Sequence, residues 1–186
     1  EIIVVDDGST DETPAVVHSI RDPRVRYIRQ ENAGLSAARN TGLRAARYKL
    51  IGFLDADDLW CPDFLKAVVA EFDRLGPEFG LVATSASRMD ERGRPMLSPR
   101  DPLDGGSELG VRDFCLRNRP YSSSIVIRRN VFESCGGFDT RLRSSEDRDI
   151  WIRATSAGFR FYFIIEPLAM LRRHRNNMSK NADRMK

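Results

Sequence analysis

The sequence predicts an α/β fold, a mostly parallel central sheet flanked by helices, on three observations. Apolar runs of strand length alternate with amphipathic, helix-period segments through residue 75. Two of those runs stop abruptly in acids: Ile2-Ile3-Val4-Val5 meets Asp6-Asp7-Gly8-Ser9, and Ile51-Gly52-Phe53-Leu54 meets Asp55-Ala56-Asp57-Asp58. Strands of a parallel sheet end on one edge, and open α/β sheets bind ligands in the crevice outside those ends.

The elements follow in order. Residues 2–7 read as a strand and 11–20 as a helix, with Ser9 and Glu12 spaced as a capping box and Pro14 early enough to be tolerated. Val25 to Arg29 alternates as a short strand. Leu35 to Ala46 puts Leu35, Ala38, Leu43 and Ala46 on one narrow, small-residue face. A strand over 50–54 precedes a helix from Pro62 to Leu75, with Leu65, Val68, Val69 and Phe72 inward and Gly76-Pro77 ending it. Residues 81–84 form a strand. The Pro-, Gly- and charge-rich stretch 90–110 reads as a surface excursion. A strand over 122–128, a short helix over 130–135, a helix over 146–157 stopped by Gly158, and a strand over 159–165 complete the chain. Trp60 and Trp151 read as packing residues, with Trp151 near enough to Asp147 to line a pocket.

At 186 residues the chain fits one domain, and 41% hydrophobic with 31% charged residues suits a folded globular chain. A formal charge of +3 is too small to imply a nucleic-acid partner. Arg172, Arg173, Arg175, Lys180, Arg184 and Lys186 crowd the C-terminal region, either as a solvated surface, a clamp for diphosphate oxygens, or an attraction to an anionic membrane. Cys61, Cys115 and Cys135 lack metal-type spacing and point to a reducing compartment without a disulfide framework. No run reaches the length of a membrane-spanning helix.

The second acid cluster places three carboxylates within four residues. Such neighbours repel unless one is protonated or a cation binds, and Mg²⁺ or Mn²⁺ commonly sits between carboxylates and phosphate oxygens. Asp58 has a second reading, as the cap of the following helix. A dinucleotide site would want Gly-x-Gly-x-x-Gly after a strand, and the chain has none. A nucleotidyltransferase would want a glycine-rich basic loop near the first strand, and Glu146-Asp147 argues against it.

Val4 to Asp11, Glu31-Asn32-Ala33-Gly34-Leu35-Ser36-Ala37-Ala38-Arg39-Asn40-Thr41-Gly42, Phe53 to Asp58, Gly136-Gly137-Phe138-Asp139, Ser145-Glu146-Asp147-Arg148-Asp149-Ile150-Trp151 and Arg172 to Ser179 together resemble the family 2 glycosyltransferases of the GT-A fold. The resemblance implies one domain over 1–179, with a nucleotide-sugar half (1–85) and an acceptor half (86–179), followed by a basic tail (180–186). It implies an inverting transfer from a nucleotide-diphosphate sugar to a glycan or lipid-linked acceptor in cell-surface polysaccharide synthesis. Asp147 would be the general base beside Glu146; Asp6, Asp7, Arg39, Asp55 and Ala56 would bind the donor. Asp57, Asp55 and His174 would hold Mn²⁺ or Mg²⁺. A cytoplasmic location, with contact at the inner membrane face, goes with such acceptors. The family opens with a further strand and helix, so the resemblance also implies that about 30 residues of a βαβ unit are missing here, leaving an exposed strand edge. A non-catalytic nucleotide-sugar-binding module is the competing reading. Taken alone, Glu146 and Asp147 would complement a helix N-terminus, Arg39 would face solvent, and His174 would be an ordinary polar residue.

Overall fold

The computed structural model describes residues 1–97, 107–111, 114, 120–174 and 177. Cys115, Arg175, Asn176 and 178–186, which include the whole basic tail, lie outside the described residues.

Strand β1 (Ile2–Asp7), helix α1 (Thr13–Ser19), strand β2 (Val25–Gln30) and helix α2 (Leu35–Ala45) form the first unit. β1 and β2 run parallel in register from Ile2 opposite Val25 to Asp7 opposite Gln30. Among the described residues this pair is hydrogen-bonded to no other strand. The Ser9–Glu12 capping box does not form: the helix starts too late, at Thr13, and the Ser9 N–H turns back to Asp6.

Strands β3 (Leu50–Gly52) and β4 (Leu59–Trp60), helix α3 (Phe64–Arg74) and strand β5 (Phe79–Met89) come next. Strands β6 (Pro95–Met96), β7 (Ser107–Leu109) and β8 (Ile125–Arg128) follow, then helices α4 (Arg129–Cys135) and α5 (Glu146–Ser156) and strand β9 (Arg160–Arg172). They build a second sheet in the order β3-β8-β5-β9-β4, with β6 on β5 and β7 on β9. Only β5–β9 is parallel in it, so the sheet is more mixed than the strand–helix alternation suggests. Parallel pairing occurs where helices carry the return, through α1 between β1 and β2 and through α4 and α5 between β5 and β9. Part of the expected surface excursion is therefore strand, in β6 and β7. The expected strand at 122 begins instead as a 3₁₀ turn, Ser122–Ser124, which matters below.

Period-two alternation divides the sheet's faces. Leu81, Ala83, Ile125, Ile127, Phe161 and Phe163 point into a core closed by α4 and α5, where Ile150 and Trp151 are buried. Val82, Val126 and Ile164 point the other way, onto Phe64, Val68 and Phe72 of α3. Each such buried Val, Leu, Ile or Phe side chain stabilises by about 1.5–3 kcal/mol. Leu65 and Val69, expected inward on α3, are exposed, because the buried stripe begins one residue earlier at Phe64. Trp151 is sealed in the core, 1% exposed and outside the lining of the cleft that holds Asp147, whereas Trp60 stacks on Phe64 and donates its indole N–H to the Ser123 carbonyl at 2.7 Å. Among the described residues, no helix is long and apolar enough to cross a membrane.

Candidate active site

The acidic segment after β3 links the two ends of the sheet order, and its shape is set by neighbours. Asp58 N–H closes a turn onto the Asp55 carbonyl at 3.0 Å, and Asp55 N–H donates to Ser123 Oγ at 3.1 Å. Asp58 Oδ1 accepts the Arg172 N–H at 2.9 Å, while Arg172 Nε donates to the Asp57 carbonyl at 2.8 Å. Asp58 therefore fastens the turn to β9 and does not cap α3, which begins at Phe64 after an N-cap residue, Asp63, that makes no side-chain cap. Burial pushes the Asp58 carboxyl up, against the pull of Ser123 and the Arg172 N–H. Pinned in this way, the turn leaves the Asp55 and Asp57 side chains each 40% exposed toward a cleft. His174 Nε2 stands 2.9 Å from Asp57 Oδ2. Ala56 is an exposed spacer between the two acids.

Arg39 does not face solvent. α2 buries Ser36 and Arg39 rather than its small apolar face, and Leu43 only abuts the core. The Arg39 guanidinium donates to Asp55 Oδ1 at 2.9 Å and to Glu146 Oε1 at 2.7 Å. It also lies over the Phe138 ring, 5.4 Å from its centre. Next door, Asn40 exchanges two 2.8 Å hydrogen bonds with the Phe138 main chain. A Cβ on Gly137 would sit 2.3 Å from Asn40 Oδ1, which is why this contact requires glycine.

Glu146 and Asp147 open α5 after Ser145, a non-glycine residue at φ 61°. Residues held there cost about 1–3 kcal/mol and concentrate at functional sites. Asp147 Oδ1 accepts the Arg148 N–H at 2.7 Å, and Oδ2 accepts Ser122 Oγ at 3.4 Å. Burial first, then repulsion from Glu146, raises the Asp147 pKa, while the Arg148 N–H and Arg39 oppose the rise. Asp55, Asp57, Arg39, Glu146 and Asp147 all line one cleft. Sequence reasoning missed Ser122 and Ser123, which bridge its two sides, and Arg143 on its rim. The run Ser122-Ser123-Ser124 directly before an apolar strand was the available signal; Arg143 has none in the sequence.

Asp6 and Asp7 lie outside that cleft's lining. The Asp6 side chain is buried; it accepts the Tyr27 hydroxyl and, at 2.7 Å, the Ser9 N–H, which lower its pKa to about 2. Asp7 accepts Gln30 Nε2 at 2.7 Å, Ala33 N–H at 2.9 Å and Gly34 N–H at 2.8 Å. It thereby holds the 31–34 turn that feeds α2. Gly8 permits the close approach, since a Cβ there would be 2.9 Å from the Asn32 nitrogen.

The family model described as glycosyl transferase family 2 matches residues 1–136. The chain belongs to that family. A family relative, the succinoglycan biosynthesis protein ExoO of Rhizobium meliloti, is 35% identical over 91% of this chain and 50% of its own. Chondroitin synthase of Escherichia coli is 30% identical over 85% of this chain and 22% of its own. The chain thus spans half or less of these two family relatives. In fold it is similar to S. aureus TarS 1–349 in complex with UDP-GlcNAc (TM-score 0.78, 20% identity, 97% of this chain and 52% of that one). It is also similar to the mannosyltransferase PcManGT of Pyrobaculum calidifontis in complex with GDP-Man and Mn²⁺ (TM-score 0.71, 22% identity, 99% and 51%). These likenesses establish the GT-A fold and the glycosyltransferase family.

For the divalent cation that goes with that fold, the chain presents a carboxylate oxygen and an imidazole nitrogen, Asp57 and His174. Among the described residues no group of three His, Cys, Asp or Glu is arranged to hold a metal, and Asp55 is tied to Arg39. Two protein donors fit a cation that completes its shell with phosphate oxygens and water, as Mg²⁺ and Mn²⁺ do.

Proposed function

We propose that the cleft transfers a sugar, with inversion, from a nucleotide-diphosphate sugar to a hydroxyl of a glycan or lipid-linked acceptor of cell-surface polysaccharide synthesis. The observation that carries this reading is one cleft lined by Asp57, which His174 contacts at 2.9 Å, and by a half-buried Asp147 whose pKa is raised. A cation bound at Asp57 and His174 would supply Lewis-acid neutralisation of a departing diphosphate.

The chain's own groups do the rest. Asp147 takes the acceptor hydroxyl's proton on a carboxylate oxygen; its raised pKa strengthens it as a base. Ser122 and the Arg148 N–H fix the carboxylate's orientation. A base opposite the leaving group enforces a single displacement, hence inversion. Asp7 serves the donor through the 31–34 turn it holds, beside a hollow lined by Gly8, Arg29, Gln30, Glu31 and Asn32, and Asp6 supports it from within by bracing Tyr27 and the Ser9 N–H. Ala56 spaces Asp55 from Asp57 so that one acid meets Arg39 and the other His174.

The test is release of UDP from UDP-GlcNAc, or GDP from GDP-mannose, with Mn²⁺ and a saccharide acceptor, followed by NMR of the product's anomeric proton. Inverted product from the wild type, absent with Asp147→Asn, is expected. Retained configuration, or equal turnover by Asp147→Asn, would contradict it; binding of the diphosphates without turnover would favour a non-catalytic module.

A further inference from the structure

The arginines of the cleft differ in what they hold. Arg143 stands exposed on the rim, and Arg172 donates to main-chain carbonyls of Asp57, Asp90 and Glu91. Arg39 is 8% exposed, and its two terminal nitrogens reach carboxylates from distant parts of the chain, Asp55 and Glu146. Stacked on Phe138 and occupied on both prongs, its guanidinium is already committed within the protein.

We infer that Arg39 is a positioning residue, not a donor ligand: it fastens Asp55 on the donor side to Glu146 beside the base, so that the two sides of the cleft act as one electrostatic unit. The inference rests on the reading of the cleft as a nucleotide-diphosphate site. Glu146 is 7% exposed and its Oε1 lies 2.7 Å from an Arg39 nitrogen, so burial keeps water from screening the pair. Arg39 divides one positive charge between Glu146 and Asp55, and Asp55 remains partly uncompensated where a diphosphate binds. Neutralising Glu146 turns Arg39 wholly to Asp55 and makes the donor side less negative.

The test is a double-mutant cycle on nucleotide affinity, which needs no turnover. UDP and GDP, each with Mn²⁺, are titrated calorimetrically into wild type, Arg39→Gln, Glu146→Gln and the double variant. In the wild-type background Glu146→Gln tightens the diphosphate about tenfold, within the usual range of coupling between sites. In the Arg39→Gln background, where no guanidinium is left to turn from Glu146 to Asp55, the same change stays within about twofold, as for uncoupled positions. Arg39→Lys separates a bridge from a mere positive charge, because an ammonium satisfies one carboxylate at a time. It is expected to fold and bind UDP, yet to lose the Glu146→Gln effect, and it carries the test if Arg39→Gln does not fold. An equal Glu146→Gln effect in all three backgrounds would overturn the inference while leaving the donor site standing. Failure of both diphosphates to bind the wild type would overturn the donor-site reading and this inference together.

Discussion

Two strand ends carry nearly the same sequence plan, apolar residues running into neighbouring aspartates, and the structure uses them in opposite ways. Asp6 and Asp7 are consumed by the protein: Tyr27, Ser9, Gln30 and two backbone N–H groups of the 33–34 turn occupy their oxygens. Asp55 and Asp57 stay open to the cleft, with Arg39 and His174 respectively as their ion-pair partners among the described residues. The acid at a strand end is thus not the signal of a site. What separates the two is whether the following turn folds back on the carboxylates, as 31–34 does on Asp7, or is pinned from outside, as Ser123 and Arg172 pin 55–58.

Substitutions should sort along that division. The largest effect is expected at Asp147, on the open side: Asp147→Asn should lower turnover by about 10²–10⁴-fold, the usual contribution of a positioned base, without lowering Tm at pH 7. The sign follows from its raised pKa. A folded-state pKa above the unfolded value costs stability as pH rises through the ordinary carboxylate range and beyond, and the neutral amide escapes that cost. A Tm scan from pH 3 to 8 checks it.

Next is His174→Gln, expected to weaken Mn²⁺ binding, read by electron paramagnetic resonance in the presence of UDP, by at least the 10–100-fold that loss of even an outer-shell partner costs. An unchanged Mn²⁺ affinity would remove His174 from the cation site. On the closed side, Asp6→Asn should leave Mn²⁺ and diphosphate binding nearly intact and lower Tm instead. Because the Asp6 pKa is depressed to about 2, its contribution is fully present above the ordinary carboxylate range and fades as pH falls toward 2, so the Tm gap between the two proteins should close there. A gap that persists at pH 2 would mean the charge is not what Asp6 supplies. The smallest effect is Ser145→Gly: relief of a positive-φ residue should stabilise by up to about 1 kcal/mol, seen as a small rise in Tm.

What was legible in the sequence follows the same physics. The alternation of apolar and polar residues gave β1, β2, α2, α3 and α5 within a few residues; α3 buries a periodic face of Phe64, Val68 and Phe72, whereas α2 buries Ser36 and Arg39 in place of its apolar one. The motif residues Arg39, Asp55, Asp57, Glu146 and Asp147 line one cleft, and His174 reaches its Asp57. Hidden were features set by tertiary partners. The 3₁₀ turn at Ser122–Ser124 carries no period, and β4 and β6 are two residues long, below any periodic signal. The capping box failed because Asp6 competes for the Ser9 N–H. Arg39 read as a donor ligand by resemblance and as a solvent-facing side chain when taken alone, because nothing local announces that two acids from 16 and 107 residues away will surround it.

The most direct test is thermal stabilisation by UDP, GDP, dTDP and CDP, each with and without Mn²⁺, in wild type, Asp57→Asn and Asp6→Asn. The account predicts that one diphosphate raises Tm only with Mn²⁺, that Asp57→Asn abolishes the rise, and that Asp6→Asn keeps it from a lower starting Tm. Stabilisation that survives in Asp57→Asn and disappears in Asp6→Asn would contradict it, making the closed acids the site and the open ones the scaffold.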